Sequence, residues 1–209
     1  MYCPPHFAVQ DEATLLGLMR DYPLASVVYS TADGPQAEHL PLHYLDGTLQ
    51  GHCARRNPLA QMPGGSRCLL IFQGPQAYIT PNGYASKAVD GRVVPTWNYA
   101  VVQVQASLTT FDDVTRLLGL LEHSTRTEES AETHPWQVGD APQDFTRTLA
   151  AHITGLEFRI ESLQGKWKIS QNQSHANQQS LMTRLESSGK PTDNILAALM
   201  RQHLPAENG

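Results

Sequence analysis

Apolar residues recur along this chain at two spacings, and the places where one gives way to the other mark its elements. Leu15, Leu16 and Met19 follow Asp11 at helical spacing and stop before Pro23, which predicts a short helix capped by Asp11. Ala25 to Tyr29 is rich in strand formers, and Ala32-Asp33-Gly34-Pro35 predicts a turn into a second strand from Glu38 to Leu45. Asp46-Gly47 is the dipeptide of a two-residue type I′ hairpin, so Leu45 should pair with Thr48. Carrying that pairing outward puts Leu40, Leu42, Leu49 and Cys53 on one face, and His39, Pro41, His43, Gln50, His52 and Ala54 on the other. The first face is expected in the core and the second is a candidate site.

Further along, Cys68 to Phe72 predicts a buried strand, Gly74-Pro75 a turn, and Ala77 to Ile79 a resumed strand that Pro81-Asn82-Gly83 breaks. Val93 to Leu108 predicts more strand, interrupted by Pro95, Thr96, Trp97 and Asn98. A Trp beside an Asn suits a flat ligand with polar edges, and equally suits a strand end with a core Trp. Asp112 should cap a helix bearing Leu117, Leu118 and Leu121, and a polar loop from Ser124 to Pro142 leads to a short helix near Phe145 to Ala151. Leu156, Phe158 and Ile160 alternate with charged residues, a half-exposed strand that Gly165 should end. Beyond Ser174 two helices are expected, one around Leu181, Met182 and Leu185, the other after Thr192 through Met200. Short strands, few early helices and a helical tail predict an α+β fold with an antiparallel sheet curled into a barrel. Residues 1–173 would form the barrel domain, and residues 174–209 a helical extension packed on it or on a second copy.

Composition narrows the function. With 209 residues and 40% hydrophobic content the chain can bury a substantial core, while a net charge of -5 and a pI near 6.0 argue against a broad grip on nucleic-acid phosphates. Cys3, Cys53 and Cys68 are odd in number and lack CxxC spacing, so neither a disulfide framework nor a cysteine zinc site is expected, and a reducing cytoplasm fits. No basic-then-apolar leader and no membrane-spanning run are read.

Cations and amides cluster at predicted strand ends: Arg55, Arg56 and Asn57; Tyr84, Ser86 and Lys87; Lys166, Lys168 and Gln171. Each alone is equally a solvated strand end. Together with Trp97 and Tyr78 they predict a local positive pocket on an acidic chain, as a phosphorylated aromatic cofactor requires. No P-loop, GxGxxG or GxSxG is present. His39, His43 and His52 lack an accompanying carboxylate or cysteine, so no metal is expected and the imidazoles are read as hydrogen-bonding groups for a ligand.

His39-Leu40-Pro41-Leu42, Gly51 to Pro58, Ile71 to Ile79, Val94 to Val101 and Gly165 to Asn172, in that order, resemble the PaiB family, as does the opening Met1-Tyr2 through His6-Phe7. The resemblance implies an FMN-binding split β-barrel like the pyridoxamine-phosphate-oxidase flavoproteins. It also implies a homodimer with flavin near the interface, and a negative transcriptional regulator. It assigns Arg55, Asn57, Ser86 and Lys87 to the phosphate and ribityl chain and Thr96, Trp97 and Asn98 to the ring. Lys168 and Gln171 would approach from the late segment or the partner copy, and His39, His52 and Tyr78 complete the expected FMN site. Two positions depart from the family: Gly83 replaces a usual aromatic, and Gln173 a frequent Arg, which lowers the expected flavin affinity.

Three functions stay open on sequence. One is a PaiB-type regulator acting directly or indirectly on DNA, although no helix-turn-helix is seen and the last helices carry only Arg184, Lys190 and Arg201 as cations. The others are a flavin-dependent oxidoreductase using NAD(P)H or a small redox substrate, and a dimeric interaction module that has lost its cofactor.

Overall fold

The first helix forms where its cap predicts. Asp11 accepts hydrogen bonds from the Thr14 N–H at 2.8 Å and the Thr14 hydroxyl at 2.6 Å, satisfying a donor that the first turn would otherwise leave open. In this computed structural model, which describes residues 1–204, the elements run β1 (Ala8–Val9), α1 (Glu12–Asp21), β2 (Leu24–Thr31), β3 (Gly34–Pro41), β4 (His43–Leu45), β5 (Thr48–Ala54), β6 (Ser66–Ile79), β7 (Thr96–Phe111), α2 (Val114–Glu128), α3 (Gln143–Ala150), β8 (Ile153–Lys168), α4 (His175–Glu186) and α5 (Pro191–His203). The strands form an eight-stranded sheet in the order β3-β2-β6-β7-β8-β5-β4, with β1 pairing on β8. The last five residues of the expected carboxyl-terminal extension lie outside the described residues.

The chain gathers into two compact units. One comprises Met1–Leu18, Gln73–Gln103 and the described residues from Gln164 onward, and the other Met19–Phe72 and Val104–Leu163. The first buries Leu15, Ile79, Ala100, Trp167, Leu181 and Leu196, and the second Val27, Leu49, Leu70, Leu108, Leu117 and Phe158. Alternation does the sorting, since Ala25, Val27 and Tyr29 are buried, Ser26 and Val28 between them are half-buried, and Leu24 and Ser30 beyond them are exposed. Each large side chain so buried contributes about 1.5–3 kcal/mol.

The Asp46-Gly47 hairpin forms as expected: both residues have positive φ, 51° and 81°, and Leu45 pairs with Thr48. The pairing nevertheless ends at His43 with Gln50. Leu42 gives its N–H to the Pro23 carbonyl at 2.9 Å, so the strand expected from Glu38 to Leu45 breaks there. β3 instead pairs along its length with β2, which sets His39 opposite Ser26 and removes it and Pro41 from the face shared by His43, Gln50 and His52. Gly51 permits the break, because a Cβ there would stand 2.7 Å from both the Pro41 carbonyl oxygen and Leu42 Cδ2.

Two glycines read as chain breaks lie inside strands. β6 runs unbroken through Gly74 and Pro75, where a turn was expected, and a Cβ at Gly74 would press to 2.8 Å on Leu18. The register of β2 on β6 covers Cys68–Ile71 only, so Pro75 lies beyond it, where a missing N–H costs less. β8 likewise continues past Gly165 to Lys168, the glycine being needed because Leu15 packs on its backbone.

Smaller differences are local. β7 starts at Thr96, after Pro95, rather than at Val93. The cap of α2 is Asp113, which accepts from the Arg116 N–H at 2.8 Å, while Asp112 accepts from the Thr154 hydroxyl at 3.0 Å. That helix extends to Glu128, which shortens the expected loop from Ser124. No helix among the described residues is long and apolar enough to cross a membrane.

Candidate functional site

The start of β7 and the end of β8 belong to the first unit, and strand alternation decides which side chains they offer. Thr96 and Asn98 share one face of β7, with Trp97 on the other. After Lys168 the chain turns sharply: Ser170 adopts φ 67°, a left-handed conformation that a non-glycine residue holds only when its surroundings enforce it. Gln171 does part of this by folding back, its amide donating to the Trp167 carbonyl and accepting from the Ile169 N–H at 2.8 Å. Gln178, buried on α4, does the rest by donating to the carbonyls of Ser170 at 3.2 Å and Gln173 at 2.9 Å.

These segments enclose a cleft of about 200 Å³ whose walls include Arg92, Thr96, Asn98, Lys168, Ser170 and Gln173. Lys168 Nζ donates to Thr96 Oγ1 and, at 2.9 Å, to the Trp97 carbonyl, which leaves a third N–H free. Asn98 is 1% exposed; its Nδ2 donates to Ser170 Oγ at 2.9 Å and its Oδ1 has no partner. Turning the amide over only exchanges which atom is orphaned. A buried unpaired carbonyl costs about 1–3 kcal/mol, and this one belongs to a residue of the cleft wall, which also carries the cations Lys168 and Arg92.

Of the residues expected to bind FMN, Thr96, Asn98 and Lys168 meet in this cleft. Ser86 joins its rim indirectly: Asn177 on α4 accepts from the Ser86 N–H at 2.9 Å and donates to Ser86 Oγ at 3.0 Å and to Gln173 Oε1 at 3.1 Å. Lys87 donates to Asn82 Oδ1. Gln171 is spent on its own backbone. Trp97 is not in the cleft; it stands exposed, edge-on to Tyr78 with ring centroids 6.0 Å apart. Arg55, Asn57, His39 and His52 belong to the second unit. There Arg55 lies 3.3 Å from Asp112 Oδ1, Asn57 accepts from the Leu59 N–H at 2.9 Å, His39 is exposed on β3, and His52 is half-buried, its pKa pushed down by that burial.

Arg92, Asn177 and Gln178 escaped the sequence reading. Arg92 follows Gly91, which has φ 68°, and its N–H is held by Asp90 Oδ1 at 2.9 Å, so an Asp-Gly turn was the available signal. It supplies a cation to the cleft wall that also contains Gln173, where the family pattern often has Arg. The other departure also has a packing reason. A Cβ at Gly83 would already lie 3.1 Å from Arg184 and 3.2 Å from Leu181, so α4 occupies the space an aromatic would need. His43, in the second unit, is buried with Nε2 3.9 Å from Glu128 and its ring edge-on to His123. Among the described residues no group of three or more His, Cys, Asp or Glu side chains could hold a metal ion.

A family model described as "Putative FMN-binding domain" matches residues 1–162. The chain belongs to this family. It is 28% identical over 219 residues to protease synthase and sporulation protein PAI 2 of Bacillus subtilis, covering 98% of each chain, in accord with the PaiB resemblance. Among solved structures it is similar to the flavocytochrome Anf3 of Azotobacter vinelandii, at 13% identity and a TM-score of 0.58 over 77% of this chain and 69% of that one. It is also similar to an FAD and heme binding protein of Mycobacterium smegmatis, at 15% identity and a TM-score of 0.55 over 77% and 73%. At such identities these structures establish the fold, the antiparallel split barrel with flanking helices that the family shares.

Proposed function

We propose that this chain is an FMN-binding negative regulator of the PaiB type, acting in the cytoplasm as a homodimer and reaching transcription indirectly. The observation that carries the cofactor assignment is the orphaned amide of Asn98 in a cleft walled by Lys168 and Arg92. The residues fit the polar end of FMN. Two cations suit a phosphate, the free N–H of Lys168 and the Ser170 hydroxyl suit phosphate or ribityl oxygens, and Asn98 Oδ1 calls for a ligand hydroxyl or N–H. Sites for whole ligands of this size enclose about 300–1,000 Å³, so a cleft of about 200 Å³ takes the ribityl phosphate and leaves the ring to a surface that a second copy completes. Bound flavin would supply reversible electron uptake, and this chain's part is to hold its phosphate, orient its sugar chain and keep water from the Asn98 amide.

Indirect regulation is favoured by where the cations are. The chain is acidic, and on the last two helices Arg201 is already committed to Glu186, at 2.7 and 2.9 Å, leaving little basic surface for a DNA groove.

Absorbance in the flavin bands, before and after titration with FMN, tests the assignment. Binding should be saturable and weakened about tenfold or more in Lys168→Met; no binding at micromolar FMN would refute it. Rapid bleaching of the bound flavin by NADH or NADPH would assign an oxidoreductase instead, and a salt-dependent shift of promoter DNA by the protein alone would make the regulation direct.

A further inference from the structure

A second and larger cavity, of about 590 Å³, lies within the other unit. It is open to solvent and lined by one face of α2, where Glu122 and Arg126 stand one turn apart, and by the 130–139 segment with Ser130, Pro135, Trp136 and Val138. The 130–139 segment is held by its own hydrogen bonds. The Trp136 N–H donates to Glu129 Oε2 at 3.0 Å, the Gln137 N–H to Asp140 Oδ2 at 2.9 Å, and the Asp140 N–H returns to the Gln137 carbonyl at 2.9 Å. The indole so placed is 46% exposed, a large apolar surface beside charges.

Glu122 and Arg126 are spaced to pair with each other along the helix, yet among the described residues neither forms an ion pair. A carboxylate, a guanidinium and an indole therefore share a preformed cavity whose volume suits a small molecule. An anion alone would meet Glu122, and a cation alone would meet Arg126. A molecule carrying both charges and an apolar group satisfies all three. Three carbonyls at this end of α2 are already taken, those of Thr125 and Thr127 by the Glu129 N–H and that of His123 by the Thr127 hydroxyl.

We infer that this cavity is a site for a zwitterion with an apolar or aromatic side group, the chemistry of a free α-amino acid. Its ammonium meets Glu122, its carboxylate meets Arg126, and its side group lies on Trp136. The site shares no lining residue with the flavin cleft, and its occupancy would reach α2 through Glu122 and Arg126.

Calorimetry and indole fluorescence on the full chain, with and without excess FMN, test this with L-phenylalanine, phenethylamine and hydrocinnamate. L-Phenylalanine should bind at least about tenfold more tightly than either singly charged analogue. Glu122→Gln should weaken L-phenylalanine but not hydrocinnamate, and Arg126→Gln should weaken it but not phenethylamine. Both positions are exposed on a helix, so the variants should fold; equal melting temperatures verify it. Equal affinity for all three probes, no binding by about 5 mM, or displacement by FMN would overturn the assignment.

Discussion

Asn98 Nδ2 donates to Ser170 Oγ at 2.9 Å, joining the start of β7 to the second residue past the end of β8 across 72 positions of sequence. The bond satisfies one end of a buried amide and leaves the other end without a partner. A polar pair kept half satisfied in the interior is a cost to the fold, and such costs persist at sites that bind something.

The double variant Asn98→Leu/Ser170→Ala should therefore keep or raise the melting temperature while weakening FMN at least about tenfold, since replacing both partners by apolar groups is near neutral for folding. Thermal melts and flavin titration on the same samples check it. A large loss of stability would mean that the amide serves the fold rather than a ligand.

Burial pushes His43 below its ordinary pKa of 6.5; the Glu128 carboxylate opposes this and His123 and His52 reinforce it, while burial alone lowers His52. Both imidazoles therefore bind fewer protons in the folded chain than in the unfolded one below about pH 6.5. Their stability contribution is fully present above that pH and is lost as pH falls toward their folded values. Urea unfolding from about pH 7.5 down to about pH 5 should show falling stability, with a shallower fall in His43→Gln. An unchanged slope in the variant would count against His43 as a source.

Gly155→Ala should destabilise by about 1–3 kcal/mol, because the added methyl would overlap the Phe111 ring, over which the Arg116 guanidinium sits at 3.7 Å. A drop of about 5 °C in Tm is expected, with partial recovery when Phe111→Leu is added. Calorimetric melts of both variants decide it.

Thiol chemistry should report burial. Burial raises Cys53 and Cys68 to about 11, whereas Cys3 is half-buried. Titration of the native protein with a disulfide reagent near pH 8 should find one fast thiol, and all three cysteines after denaturation. Fast reaction of more than one thiol before unfolding would contradict this burial.

Much of this protein is legible locally. Asp11 and Ser174 cap the helices they precede, Asp46-Gly47 makes its turn, and Leu156 and Phe158 alternate into a core, since each depends on residues within a few positions. Gly74 and Gly165 lie inside strands where local sequence predicts breaks, because a glycine that ends a strand and a glycine that lets a distant Leu pack on one look the same in sequence. The family, too, was carried by short runs of residues in order, and the acidic balance with clustered cations already pointed away from a DNA-coating surface.

What the linear pattern could not contain is which separated groups meet. That Lys168, Asn98 and Ser170 share a cleft with Arg92 while Trp97 turns to the opposite face, and that His39 pairs into β2 rather than beside His52, were decided by strand register and by the Leu42 detour. Periodicity tells which face a residue takes; only the closing of long-range contacts tells what that face meets.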